Sequence, residues 1–307
     1  MNKRKKILIA NRGVIAIRAL RAAKELGYEV ASVYSTADRN LKHLKLSDEA
    51  ICIGPPDSRE SYLNEAAIIS AAELANVDGI YPGYGFLAEN AEFAEKCKNS
   101  GFKFIGPSHE IISLMGDKIR AKDLMRQLGV PVVPGYEGAV DSKQQIENEV
   151  TKIGLPVIIK AAAGGGGRGM RIVKEISQLW DTIQDAKSEA NVAFGNDLVF
   201  IEKYLERPRH VEIQVFGDGK GKVVHLFSRD CSLQRKYQKI IEEAPAANIP
   251  LEKLEEIHRI SVQACQELKY EGAGTLEFLY ENEEFFFIEM NTRIQVEHTV
   301  TEMITGI

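Results

Sequence analysis

The sequence has no close pair of cysteines. Its four, Cys52, Cys97, Cys231 and Cys265, are scattered along the chain, which excludes the paired spacing of a zinc ribbon or finger. Scattered thiols in a chain of 307 residues fit a reduced, cytoplasmic protein better than a disulfide scaffold. Long apolar runs are also missing. After the basic start Asn2-Lys3-Arg4-Lys5-Lys6, the run Ile7-Leu8-Ile9-Ala10 ends at Asn11 and Arg12. That is too short for a signal-peptide core and far too short to span a bilayer. There is no excess of positive charge: 39 Lys and Arg against 44 Asp and Glu leave a net charge of −5. A mildly acidic chain argues against sequence-independent nucleic-acid binding, and no membrane partner is expected. No internal repeat is found, and one glycine run is the only low-complexity tract. What remains is 44% hydrophobic and 27% charged residues, an ordinary globular composition that excludes disorder and collagen. The length suits about two domains.

The first third alternates strand and helix signals: strands over 6–10, 29–34, 79–82 and 102–105, helices over 14–26, 62–77 and 89–100. Gly27 and Gly101 stand where helices stop. Such alternation predicts a parallel α/β sheet, with ligand loops at the carboxyl ends of its strands, here Asn11-Arg12-Gly13 and Gly83-Tyr84-Gly85. A single long helix is expected over 108–128, closed by Gly129. The extended Val130-Pro131-Val132-Val133-Pro134-Gly135 then reads as a connector. A small α/β unit follows: helix 142–153, strand 155–161, strand 170–173, helix 175–190 and strand 198–202. From His210 the period becomes two, giving a hairpin around Asp218-Gly219. After a helix over 251–268 comes a second hairpin, 274–280 with 285–291, around Asn282-Glu283-Glu284.

Three stretches carry chemistry. Gly164-Gly165-Gly166-Gly167-Arg168-Gly169 exposes backbone N–H groups suited to phosphate oxygens. No Gly-Lys-Ser/Thr follows, so it is not a Walker A loop, and the strand after it excludes the dinucleotide fingerprint. It reads as a flap between antiparallel strands, with Lys160 and Lys118 as cations for a polyphosphate. In the second stretch, Glu289 and Asn291 share a strand face. Glu277 stands opposite Glu289 if the turn is centred on Glu283. Facing carboxylates repel unless a cation lies between them, and with an amide oxygen they suit Mg²⁺. The third is Asn291-Thr292-Arg293-Ile294-Gln295-Val296-Glu297-His298, where Arg293 is a fork-shaped oxyanion donor and Glu297 or His298 a candidate general base.

The glycine run with Lys160 and Glu202-Lys203-Tyr204-Leu205 resembles the ATP-grasp superfamily. More narrowly, Ile9-Ala10-Asn11-Arg12-Gly13, Pro82-Gly83-Tyr84-Gly85-Phe86-Leu87, Arg229-Asp230-Cys231-Ser232 and 289–298 resemble biotin carboxylase, over essentially the whole chain. The resemblance implies an N-terminal α/β domain (1–114), a helix and linker (115–135), an ATP-grasp lid with the glycine flap (136–204) and an ATP-grasp C-terminal subdomain (205–307). It implies ATP-dependent carboxylation of biotin with bicarbonate, through carboxyphosphate, in acetyl-CoA carboxylase or a related enzyme. The implied cofactors are ATP and Mg²⁺ or Mn²⁺, with biotin as the carrier-bound substrate. The implied partners are a biotin carboxyl carrier protein, a carboxyltransferase and a second copy of the chain.

Carried over position by position, Lys118, Lys160 and Gly164 to Gly167 (Gly164, Gly165, Gly166, Gly167) contact the nucleotide phosphates. Glu202, Lys203 and Leu205 form the adenine-binding strand and hinge, and His210 and Gln234 contact ribose or nucleotide. Tyr237 stands where the family usually has His. Glu277, Glu289 and Asn291 are the metal ligands. Lys239, Arg293, Gln295, the Val296 N–H and Glu297 form the bicarbonate pocket. Glu297 is the base, and Arg293 also stabilises the biotin enolate. The family continues well past the position of Ile307, so an incomplete last subdomain is expected. Two alternatives stay open: another ATP-grasp ligase of the carbamoyl-phosphate-synthase kind, and a shortened, non-catalytic nucleotide-binding protein.

Overall fold

The computed structural model describes residues 5–136, 138, 140, 142–161, 170–235 and 238–307. Among these the expected parallel sheet is present. Strands β1 (Lys6–Ile9), β2 (Glu29–Ser35), β3 (Glu49–Gly54), β4 (Gly79–Tyr81) and β5 (Lys103–Phe104) lie in the order β3-β2-β1-β4-β5. Every pairing is parallel. Leu8, Ile9, Val30, Ala31, Val33 and Ile80 are fully buried, as expected for strands covered on both faces. Strand β3 is an addition: Glu49-Ala50-Ile51-Cys52 alternates too weakly to announce itself, and the neighbouring β2 supplies the pairing.

Helices Glu65–Leu74 and Ala91–Asn99 start later than their apolar periods suggest. The side chains of Asn64 and Asn90 accept the N–H groups of Ala67 and Phe93 and so fix the first turns. The stretch read as one helix over 108–128 is two, His109–Gly116 and Lys118–Gln127. Asp117 interrupts it with an extended backbone, φ −91° and ψ 105°, and caps the second helix by accepting from Ile119 and Arg120 N–H. A short side chain that satisfies two orphan donors competes well with helix continuation.

The middle sheet has the order β6-β9-β7-β8: β6 (Gly135–Tyr136), β7 (Val157–Ala161), β8 (Arg171–Val173) and β9 (Val199–Lys203). β7 and β8 are antiparallel, with Ile159 opposite Arg171. Helices Lys143–Ile153 and Ile176–Phe194 share a core with this sheet through Ile146, Val150, Leu179 and Ile183.

The last sheet is antiparallel, in the order β12-β11-β10-β13-β14: β10 (Arg209–Asp218), β11 (Val223–Arg235), β12 (Gln238–Glu243), β13 (Glu271–Glu281) and β14 (Glu284–Asn291). Val211, Ile213, Val215, Leu276, Phe278 and Phe287 pack on Leu254 and Ile257 of helix Leu251–Glu267, together with Met115 and Met125. That leaves the opposite face of the sheet for polar residues. The strands of both hairpins run longer than expected, and Asn282 and Glu283 alone make the second turn at φ 53° and 63°.

Asp117→Ala should destabilise the protein by about 1 kcal/mol, the usual worth of an N-cap, and Asp117→Asn by much less. Urea unfolding checks this; an unchanged midpoint for the alanine variant would mean that the helix break does not depend on the cap.

Candidate active site

Strand alternation sets the two faces of the last sheet. On β10 the odd residues enter the apolar core, so His210, Glu212 and Gln214 point the other way; on β13 the even residues Leu276 and Phe278 enter the core, which sends Thr275 and Glu277 to the same side as Glu212. β14 begins with Phe285 and Phe287 in the core, which would send Glu289 and Asn291 there too. The register shifts between Glu277 and Phe278, so Phe278 faces Phe287 while Glu277 faces Glu289 and Ile288 is the extra residue. This bulge brings Met290 to the core and Glu289 and Asn291 to the polar face. The expected pairing of Glu277 with Glu289 is therefore present, though the turn lies one half-residue away from the assumed centre and the bulge makes up the difference.

At the centre of that face lies Arg229, with 1% of its surface exposed. Its Nε donates to Glu212 Oε1 at 2.6 Å, Nη1 to Gln214 Oε1 at 2.8 Å and Thr301 Oγ1 at 2.7 Å, and Nη2 to Gln295 Oε1 at 2.5 Å. Lys239, on β12, donates to Glu212 Oε2 at 2.6 Å, Glu297 Oε1 at 2.7 Å and Glu277 Oε1 at 2.9 Å. Gln295 and Asn291 also donate to Glu277 Oε1, at 2.9 and 2.7 Å. His210 Nε2 is 2.8 Å from Glu277 Oε2, and its Nδ1 is 2.7 Å from Gln234 Nε2.

Burial alone would raise Glu277, but the His210 hydrogen bond and the Lys239 ammonium outweigh it and bring the carboxyl down to about 2. Burial would lower His210, and Glu277 turns that into a rise. Lys239 is held above its ordinary value by Glu212 and Glu277 against its burial. His298 goes the other way, lowered to about 4 by burial and then by Arg229, with Nδ1 3.1 Å from Gln214 Oε1. It is a neutral ring packed under the turn, so of the two candidate bases Glu297 is the one beside Lys239.

Arg293 donates from Nε to Glu89 Oε2 at 2.6 Å and from Nη2 to Asn291 Oδ1 at 3.0 Å. Glu89 follows the Pro82–Phe86 loop at the carboxyl end of β4. Asn11 donates to the carbonyls of Pro82 and Tyr84 at 2.7 and 2.8 Å and so locks that loop to the one after β1. Gly83 is required there: its φ is +70°, and a Cβ would meet Ile15 Cγ1 at 2.9 Å. Lys118 Nζ lies 3.2 Å from Glu289 Oε2. In the middle sheet Glu202 is buried and salt-bridged to Lys122 and, at 2.5 Å, to Lys160. Lys203 donates to the carbonyls of Gly154 and Leu155 at 3.1 and 2.8 Å. Leu205 lies just beyond β9, and Val296 is 63% exposed in the bend before helix His298–Thr305.

Two clusters thus gather most of the expected residues. His210, Gln234, Lys239, Glu277, Asn291, Arg293, Gln295 and Glu297 form one connected network, beside the Lys118–Glu289 pair. Lys160 and Glu202 form the second. Gly164, Gly165, Gly166, Gly167 and Tyr237 lie outside the described residues. Reading the sequence missed Glu212, Arg229, Glu89 and Lys122. The alternation through Glu212 and Gln214 resembles a solvated face, and only the register shows that both are buried. Lys122 had a usable signal: it sits one helical turn after Lys118. Glu277, Glu289 and Asn291 place three oxygen-bearing side chains on one face, a hard donor set that fits Mg²⁺ or Mn²⁺.

Residues 3–112 match the family described as biotin carboxylase, N-terminal domain, and residues 117–307 the carbamoyl-phosphate synthase L chain, ATP binding domain. A biotin carboxylase of Haemophilus influenzae is 58% identical over 303 residues, 98% of this chain and 68% of that protein. The crystal structure of a biotin carboxylase-beta-gamma-ATP complex from Campylobacter jejuni superimposes with a TM-score of 0.88 at 52% identity, covering 99% of this chain and 69% of that one. The Hydrogenobacter thermophilus 2-oxoglutarate carboxylase biotin carboxylase domain dimer, in complex with MgADP, ADP and bicarbonate, gives 0.85 at 46% identity, covering 99% and 67%. No helix among the described residues is long and apolar enough to cross a membrane.

Arg229→Met should cost about 3–5 kcal/mol in urea unfolding, because it leaves Glu212 buried with a single cation. A loss below about 1 kcal/mol would show that water replaces the guanidinium. Glu277, lowered in the folded state, contributes stability that is present above its ordinary 4.5 and lost as pH falls towards about 2. The stability of Glu277→Gln should therefore lie below that of the unaltered chain at neutral pH and approach it on acidification. Parallel curves would contradict this.

Proposed function

The chain belongs to the biotin carboxylase family, and we propose that it carboxylates biotin on a biotin carboxyl carrier protein, using ATP and bicarbonate. The single observation that carries the site assignment is the convergence of Glu297, Glu277 and Glu212 on Lys239 Nζ at 2.6–2.9 Å. It puts a carboxylate base beside a fixed cation, where an anionic substrate can be held and deprotonated.

In this reading Glu297 takes the proton of bicarbonate while Lys239, Arg293, Gln295 and the Val296 N–H hold its oxygens. The bicarbonate oxygen attacks the γ-phosphorus of ATP, the bond to ADP breaks, and carboxyphosphate forms. Phosphoryl transfer of this kind depends on positioning and charge neutralisation, and Lys118 and Lys160 are suited to both. Glu202, Lys203 and Leu205 would receive the adenine, His210 and Gln234 the ribose side. Glu277, Glu289 and Asn291 would hold Mg²⁺, which neutralises phosphate charge when bound. Carboxyphosphate then yields CO₂ and phosphate; the released phosphate takes the N–H proton of the biotin ureido group, and the nitrogen so freed captures the CO₂. Arg293 stabilises the enolate form of that ring, its fork now oriented by Glu89 and Asn291.

A carboxyltransferase would use the carboxybiotin, and a second copy of the chain is proposed as partner by analogy with the dimeric H. thermophilus domain. The carbamoyl-phosphate alternative is disfavoured. Its name attaches to the ATP-binding half, whereas residues 3–112 match a biotin carboxylase domain.

ADP release with Mg-ATP, measured with and without bicarbonate and free biotin, tests the reading. Bicarbonate-dependent release accelerated by biotin is expected. Glu297→Gln should lower it by about 10²–10⁴-fold while nucleotide binding persists. Nucleotide binding without bicarbonate-dependent turnover in the unaltered protein would overturn the assignment.

A further inference from the structure

The residues given above to nucleotide, metal and bicarbonate all lie from Lys118 onward. The N-terminal parallel-sheet domain supplies none of them, yet it reaches their network. Among the described residues, Glu89 is the member of that domain that hydrogen-bonds an assigned residue. Its Oε2 accepts from Arg293 Nε at 2.6 Å and its Oε1 from the Thr292 N–H at 3.3 Å. One carboxylate thus bridges the Arg293 side chain and the backbone just before it, which fixes the guanidinium relative to the end of β14. Asn291 Oδ1 and the Ile294 carbonyl accept from Nη2 and Nη1, at 3.0 and 3.1 Å. Arginine has five N–H donors, so one on each terminal nitrogen is left for an oxyanion.

Glu89 is itself firmly held. Leu87 and Ala88 before it are buried, and Asn90 after it caps helix Ala91–Asn99. Phe86 sits at φ 42° and stacks on Tyr62, with ring centroids 4.8 Å apart. Arg12, tied to Asp38 at 2.8 Å, lies over the Tyr62 and Phe86 rings at 5.0 and 5.6 Å. A non-glycine residue at positive φ persists only where its surroundings over-determine it. Charge excludes a simple attractive role for Glu89. A carboxylate against the cation that is to hold bicarbonate weakens its pull on an anion, so what Glu89 contributes is geometry.

We propose that Glu89 is a positioning residue for bicarbonate, through which the N-terminal domain aims the two remaining N–H groups of Arg293. The proposal rests on the function given above. Glu89 touches no reacting atom and exchanges no proton. Both of its oxygens are needed, one for the Thr292 N–H and one for Arg293 Nε. Glutamine offers a single acceptor oxygen and turns an NH₂ group on the other donor, so it cannot replace the carboxylate.

The experiment compares the full chain with Glu89→Gln. KM for bicarbonate in ADP release should rise about 10-fold, while KM for ATP stays within about 2-fold. Loss of the negative charge alone would strengthen the pull of Arg293 and lower KM for bicarbonate, and a loosened fold would raise both constants. In an Arg293→Met background, Glu89→Gln should add nothing to the loss of kcat/KM for bicarbonate. Hydrogen exchange at the Arg293 Nε–H is followed by heteronuclear NMR, with the signal assigned by its absence from Arg293→Met. It should speed up about 10-fold in Glu89→Gln, as for the loss of one hydrogen bond to a charged group. The urea midpoint should hardly move, because the pair is partly exposed, 22% at Arg293 and 41% at Glu89. The proposal is overturned if KM for bicarbonate falls or is unchanged, if both KM values rise together, if the two substitutions add, or if exchange at Nε is unaffected. Faster exchange in Glu89→Gln, without bicarbonate-dependent ADP release in the unaltered protein, would sustain the positioning of Arg293 and overturn the assigned reaction instead.

Discussion

The guanidinium of Arg229 is the fixed point on which the polar face is built. A cation with 1% exposure is tolerable only when its donors are matched, and here they reach two residues of β10, one bend residue and one helix residue. Glu212 and Gln214 anchor it to the sheet, Gln295 to the bend after β14, and Thr301 to helix His298–Thr305. The position of Glu297, immediately before that helix, is therefore set from below. Glu212 carries the constraint outward: one oxygen serves Arg229 and the other Lys239. Arg229 needs no contact with substrate to govern the site.

One sheet meets two demands that ordinarily conflict. Its inner face has to be apolar to hold helix Leu251–Glu267, and its outer face has to carry charge. Alternation serves both on β10 and β13. On β14 it would fail, because the two phenylalanines that hold the core and the Glu289–Asn291 pair have the same parity. The extra residue at Ile288 resolves this by changing parity in the middle of the strand. A bulge is a local loss of ladder hydrogen bonds, retained here where it divides packing from chemistry.

Much of this was legible beforehand, for identifiable reasons. The parallel sheet was visible because β1 and β4 are short apolar runs, each followed by a helical period and a glycine. The facing of Glu277 and Glu289 was visible because a hairpin is nearly symmetric, although the two-residue turn and the bulge each depart from the assumed symmetry and cancel. The break at Asp117 was hidden, since apolar period continues across it and the cap acts only through two hydrogen bonds. Arg229 and Glu212 were hidden for a different reason. A charged residue alternating with valine and isoleucine looks the same whether its face meets water or a second layer, and here the second layer comes from residues more than sixty positions away, such as Gln295 and Thr301.

The lysines assigned to nucleotide phosphates are already engaged, and the manner of engagement matters. Glu202 is buried and bound by two ammonium groups, Lys122 and Lys160. Lys122 has 10% of its side chain exposed, Lys160 31%. If a single lysine held Glu202, drawing it to a phosphate would strand a buried carboxylate, which is strongly unfavourable. With two, the more exposed Lys160 can turn to an anion while Lys122 keeps Glu202 paired. The same economy holds at Lys118, whose partner Glu289 is partly exposed and faces the proposed metal position. Each cation assigned to the polyphosphate thus has a carboxylate partner in the absence of substrate, and each partner keeps a compensating charge or water when the cation turns away. Positive charge is held in place without a large repulsion to overcome in the free protein, which is the form of preorganisation that phosphoryl transfer requires.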